Sequence, residues 1–299
     1  MAANSVTAGA GEFVGRPLPG RVSRVAHFAR RKPVAAFGGL VVILLVVLAL
    51  IAPMVAPYAY DEPRVLDRLQ GPSAAHWFGT DHQGRDVLSR IIYGSQVTVI
   101  LCFGAVGLST LVSTAIGTIS GYFGGLTDTV IQRFVDIWQA FPGLIFIIFM
   151  VSVFGSDRWS LIVVLGLLFG VGSSRVVRSA TLAVRRLAYV EAAQALGASH
   201  PRILMSHILP NVVPVVIVTA SVQVGAVILA ESSLSYLGFG TPPPFPTWGR
   251  MLQESQQFMQ RNPTLAVFPG AAIALVVYSV NMFGDGLRDA LDPRLRGTR

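Results

Sequence analysis

The residue types able to do chemistry are scarce in this chain, and their spacing argues first by exclusion. Of its 299 residues one is lysine, Lys32, and Pro33 follows it. A phosphate-binding P-loop needs Gly-Lys-Ser/Thr so that the amine reaches the β- and γ-phosphates. The chain holds no such loop, so ATP-driven work would require ATP and Mg on another polypeptide. The single cysteine, Cys102, can form neither an internal disulfide nor a cysteine metal cluster, and it reads as a small buried hydrophobe. The five histidines (His27, His76, His82, His200 and His207) stand outside the centres of the apolar stretches and form no HExxH pattern. Neither metal-assisted nor Ser–His hydrolysis inside a membrane is supported. The remaining candidates are carboxylates and arginines. An ionisable group within a span is costly and points to function. Glu231 with Ser232 could line a pathway or sit at an interface, and Asp136 could face an inner vestibule or pair with Arg133.

These residues are set among stretches that carry no charge. Asp, Glu, Lys and Arg make up 13% of the chain and hydrophobic residues 53%, against about 25% charged in an ordinary soluble domain. The charge-free stretches are 33–60, 91–127, 137–156, 159–174, 203–230 and 262–284. A helix needs about 20 apolar residues to cross a hydrocarbon core of about 30 Å, so the pattern predicts an all-α polytopic membrane protein with six transmembrane helices. A soluble enzyme is excluded. With six spans, 16 of the 23 basic residues fall on the side of the N-terminus and 7 on the other. Positive charge marks cytoplasmic loops, so both termini are expected in the cytoplasm. The net charge of +8 is thereby explained by topology, without nucleic acid.

The spans are expected at 34–56, 96–120, 131–154, 159–177, 211–232 and 264–284. The first is too long for a cleaved signal peptide and reads as an anchor. The corresponding organisation is a basic cytoplasmic tail (1–32), a first helix with an external segment (33–96), a core of five helices (97–284) and a cytoplasmic C-terminal tail (285–299). Gly121 to Gly125 read as a short inner loop, and Trp248 as a headgroup-boundary residue. The uncharged stretch 232–249 contains four prolines within 242–246 and cannot satisfy its backbone in lipid. Gly117/Gly121 and Gly166/Gly170 have the GxxxG spacing that lets helices approach closely.

The most informative connection is 178–210. Arg185-Arg186-Leu187-Ala188-Tyr189-Val190-Glu191-Ala192-Ala193-Gln194-Ala195-Leu196 is rich in helix formers, Gly197 is placed to end the helix, and Ser199-His200-Pro201 restarts one. The spacing predicts a short helix–turn–helix, serving either as a docking element for a partner or as an amphipathic helix lying on lipid.

Glu191-Ala192-Ala193, Gly197 and Leu209-Pro210 resemble the EAA loop of the inner-membrane permease subunits of ABC importers. His207 stands where that pattern usually has Ile, a feature shared with the dipeptide/oligopeptide/nickel branch. Three further motifs resemble the second permease of that branch: Phe78-Gly79-Thr80-Asp81 with Gly84-Arg85-Asp86 through Arg90; Glu231 to Gly238 with Pro246 to Gly249; and Gly284 to Asp289 with Leu291 to Arg294. The resemblance implies the type I importer permease fold in a prokaryotic plasma membrane. It also implies a second homologous permease as heterodimeric partner, two cytoplasmic ATP-binding subunits and an external substrate-binding protein. Within the loop it makes Tyr189, Glu191, Ala192, Ala193, Leu196, Gly197, Ala198, Pro201, His207 and Pro210 the coupling residues: Glu191 contacts the ATPase, the alanines permit close docking and Gly197 allows the turn. Asp81, Gly84, Arg85, Asp86 and Arg90 either fix the start of the second span through local ion pairs or contact a partner. Peptides lead as substrates, with nickel complexes, glutathione or oligosaccharides as alternatives. A secondary transporter is the rival class, but no ionisable ladder or paired broken helices support it.

Overall fold

The computed structural model describes residues 30 and 32–291. Most of the two expected tails, 1–32 and 285–299, lies outside the described residues. The helices are α1 (Pro33–Val55), α2 (Val87–Phe123), α3 (Gly125–Ala140), α4 (Gly143–Phe154), α5 (Arg158–Arg185), α6 (Ala188–Ala195), α7 (His200–Ile203), α8 (Leu209–Tyr236), α9 (Trp248–Ser255) and α10 (Thr264–Leu291). A π-helical turn at Leu204–Ile208 joins α7 to α8. Five helices are long and apolar enough to cross a membrane: α1, α2, α5, the run His200–Tyr236 and α10.

The third span expected at 131–154 is not one continuous helix: α3 and α4 are bent by 89° at the break between them, and the pair makes a sixth candidate span among the described residues if counted as one. Pro142 offers no N–H to a helix and crowds the residue before it out of the helical region, and Phe141 is extended, with φ −83° and ψ 136°. Other boundaries also move. The second span begins at Val87 because the Asp86 side chain accepts from Ser89 N at 2.8 Å and caps the helix. Gly121 to Phe123 continue that helix, and the turn is confined to Gly124 and Gly125, whose φ values are +66° and +53°.

Lys32 and Asp289 meet at 2.5 Å, so the first and last helices bring both ends of the described chain to one face. That terminal face also carries the 186–208 connection, and the opposite, distal face carries 56–86 and 237–263. The largest helix contact is α2 against α5. Both glycine pairs lie in it: an added Cβ on Gly117 would meet Ser174 O at 2.6 Å, and one on Gly170 would meet Ser109 O at 3.0 Å. The core divides into a distal cluster around Leu101, Leu165, Ile228, Leu234 and Trp248, and a smaller terminal-face cluster around Tyr122, Val177, Val190, Ile203, Ile208 and Val212. Cys102 is buried in the first.

Candidate functional site

The terminal-face cluster explains why 186–208 has a fixed shape. Val190 of α6, Ile203 of α7 and Ile208 of the π-helical turn point inward and are buried against Tyr122 of α2 and Val177 of α5. The Tyr122 hydroxyl lies 2.8 Å from His200 Nδ1, and their rings meet edge to face. Between these anchors the chain turns sharply. Gly197 has φ +77°, its N–H donates to Gln194 O, and Ala198 N–H donates to Ala193 O, each at 3.0 Å. This is the Schellman arrangement that satisfies the last carbonyls of a helix. With two buried feet and a closed turn, α6 is a rigid projection.

Its outer surface is unpartnered within this chain. Leu196 at the tip is 88% exposed, and Tyr189, Glu191, Ala192 and Pro201 are exposed beside it. Pro210 is also exposed, while Ala193, Ala198 and His207 are half-buried. The His207 ring lies 6.1 Å from that of Tyr189. Leu182, Arg185, Arg186, Glu191 and Gln194 line an open hollow of about 350 Å³ at the base of α6. Tyr122→Phe removes the hydroxyl contact with His200. It should loosen the projection by about 1 kcal/mol, read as faster amide hydrogen exchange across 188–203 with the spans unaffected.

On the distal face the Gly84 to Arg90 motif forms a buried clamp. Arg85 Nε donates to Asp81 Oδ2 at 2.6 Å, and Arg90 Nη1 donates to the same oxygen. Both arginines also reach Glu254 Oε2 of α9, at 3.2 and 3.0 Å. Asp86 Oδ1 lies 2.9 Å from His76 Nδ1, while its other oxygen caps α2. Gly84, at φ +80°, sits where a Cβ would fall 1.8 Å from Arg64 O. Local ion pairs at the start of the second span are thus present, and Glu254 is the member that spacing could not reveal. Asp81, His82 and Glu254 lie close enough for a metal, but the two guanidiniums already compensate both carboxylates.

Burial alone would raise the Asp81 carboxyl. The Arg90 and Arg85 charges and the amides of Arg85 and Gln83 outweigh it and hold the carboxyl below its usual range. A depressed carboxyl contributes stability that is complete above its unfolded pKa, about 3.9, and is lost as pH falls through the lower folded value. The clamp should therefore hold from neutrality down to about pH 5 and yield only in stronger acid, as checked by protease sensitivity of 56–86 against pH.

The membrane-embedded candidates separate. Glu231 is 1% and Ser232 7% exposed, inside the chain's own packing, where Ser235 Oγ donates to Glu231 Oε1 at 2.7 Å. Asp136 is half-exposed; it pairs with Arg133 at 3.4 Å and with Arg175 of α5. Trp248, expected at a headgroup boundary, has its indole turned into the chain. It is buried over Gly94, and its Nε1 donates to Ile91 O at 3.1 Å. Arg158 stacks 3.8 Å above Phe245, tying the proline-rich loop to the start of α5.

Residues 113–297 match the family described as "Binding-protein-dependent transport system inner membrane component", and residues 24–72 match the "N-terminal TM domain of oligopeptide transport permease C". The chain belongs to this family. The dipeptide transport system permease protein DppC of Alkalihalophilus pseudofirmus is 39% identical over 267 residues, covering 89% of this chain and 88% of the relative. The glutathione transport system permease protein GsiD of Pectobacterium atrosepticum is 40% identical over 267 residues, covering 89% of each. Among solved structures, the MetNI methionine ABC transporter matches with a TM-score of 0.56 at 18% identity, over 68% of this chain and 96% of that one. That likeness concerns the fold.

The permease is therefore a multi-pass inner-membrane subunit of an ABC importer. It is non-catalytic, and its ATPase and substrate-binding protein are separate partners. Two ion pairs of the permease were not legible in its sequence. Asp128 of α3 accepts from Arg178 Nε of α5 at 2.6 Å and also binds Ser120 of α2. The clamp residue Glu254 stands 164 positions from Arg90. In both cases the partner lies far along the chain, so nothing local marked the pair.

Proposed function

We propose that this permease forms half of the translocation path of a small-peptide importer, paired as a heterodimer with a second homologous permease. The observation that carries the reading is the rigid α6 projection, with Leu196 and Glu191 exposed on buried feet at Val190 and Ile203. Such a device transmits a push from a bound partner to α5 and α8, between which it is strung. Two ATPase subunits hold ATP and Mg, and each ATP-driven closure is delivered to a permease through a loop of this kind. The residues at the contact are Tyr189, Glu191, Ala192, Ala193 and Leu196, with Gly197 keeping the turn. The excess of arginine on the terminal face supports a cytoplasmic location for both ends. The apolar outer surfaces of α1 and α4 support lipid as the surrounding medium. The dipeptide and glutathione permeases among the relatives support peptides of two or three residues as cargo.

The test is coexpression with the second permease and both ATPases. The four subunits should copurify and, with the binding protein added to proteoliposomes, drive ATP-dependent dipeptide uptake. Purification of this chain alone as a stable, transport-active unit would refute the paired arrangement.

A further inference from the structure

Charge is nearly absent from the spans, yet a charged patch lies exposed where α3 crosses α5. Asp136 and Arg175 pair across the two helices while both stay half-exposed, and the more exposed Arg133 approaches the same carboxylate. Exposed Gln139 donates to Gly172 O at 3.3 Å. At about 1.5 Å per residue, Gly172 and Arg175 stand roughly 21 and 25 Å along α5 from its start at Arg158. Both lie in the body of α5, a helix long and apolar enough to cross a membrane.

The surface of α3 divides into sectors. Val135 is buried against the chain and Asp128 is bound to Arg178. Leu126, Val130, Phe134 and Ile137, spaced three and four apart, form an exposed apolar stripe. Arg133, Asp136 and Gln139, spaced by three, form a separate polar flank continuous with Arg175. The stripe can meet lipid or a partner helix. Exposed charge on the flank is costly against hydrocarbon and needs water.

We propose that this polar flank lines the translocation path on its terminal-face half, and that its alternating charges take the charged ends of a zwitterionic peptide in transit. The proposal rests on the paired-permease reading above. Asp136 divides its carboxylate between two arginines, so a passing ammonium can replace one of them, and the arginine released can take the peptide's carboxylate. No charge is left bare at either step.

Because Cys102 is the only cysteine, Cys102→Ser gives a clean background for Gln139→Cys on the flank, for Ser179→Cys, which is exposed one turn beyond Arg175 on the same side of α5, and for Val130→Cys and Phe134→Cys on the stripe. Each is placed in the full complex, in vesicles, and treated from the ATPase side with a membrane-impermeant methanethiosulfonate; the mass shift of this chain is read. Thiolates form only where water reaches, so the flank cysteines should react at least about tenfold faster than the stripe cysteines. Trapping with MgATP and vanadate should slow them. Equal rates at all four positions, or flank rates indifferent to trapping, would overturn the proposal. Asp136→Asn should lower dialanine uptake several-fold with binding-protein affinity unchanged; full uptake would overturn the role of charge. ATP-driven uptake by the same vesicles tests the paired-permease reading separately: normal uptake without the labelling pattern sinks the path assignment alone.

Discussion

Gly117→Val should yield a permease that fails to assemble a stable core, whereas Gly107→Val on the same helix should be tolerated. A Cβ at Gly117 would stand 2.6 Å from both Ser174 O and Val177 Cβ and 2.8 Å from Arg178 N, whereas one at Gly107 meets nothing within 4 Å. Two of the three obstacles are backbone atoms of α5, so relief requires the helices to separate. Overpacking of this kind costs about 3 kcal/mol. Separation would also pull Val177 from the cluster that supports α6. Thermal unfolding of the detergent-solubilised complex should show a large loss for Gly117→Val and almost none for Gly107→Val. Equal melting of the two would refute close α2–α5 packing as the organising contact.

Arg90→Ala is the second large effect. The side chain is 2% exposed and serves both Asp81 and Glu254. Removing one member of a buried ionic group leaves the other charges uncompensated, at a cost of about 3–5 kcal/mol. The distal segment 56–86 should become protease-sensitive while the terminal-face helices stay protected. The double variant Arg90→Met with Glu254→Gln removes one charge of each sign and leaves Arg85 on Asp81, so it should recover part of the loss. No recovery would mean that the guanidinium acts through shape and not through charge balance.

What could be read in the sequence follows from how far each signal reaches along the chain. Charge-free length marked the candidate spans, and Gly197 with Pro201 marked the helix–turn–helix, because both signals are local. The bend at Phe141-Pro142 was equally local, yet hydrophobicity ran unbroken across it and masked the proline. The clamp was half legible: Asp81, Arg85, Asp86 and Arg90 share one segment, but Glu254 arrives only when α9 packs over the start of α2. The burial of Glu231 beside Ser235 depends on how α8 packs and had no local sequence signal. The inward packing of Trp248 over Gly94 likewise depends on α9 meeting α2 and had no local sequence signal.

The account turns on α6 passing motion between the ATPases and the spans. The direct measurement compares Glu191→Ala and Gly197→Val with the unaltered permease in the assembled complex, following substrate-stimulated ATP hydrolysis and uptake together. Gly197 has open space around it, so the valine costs only its left-handed backbone, about 1–2 kcal/mol, and the complex should still assemble. Basal hydrolysis should persist in both variants while stimulation and uptake are lost. Uptake unchanged in both variants would contradict it.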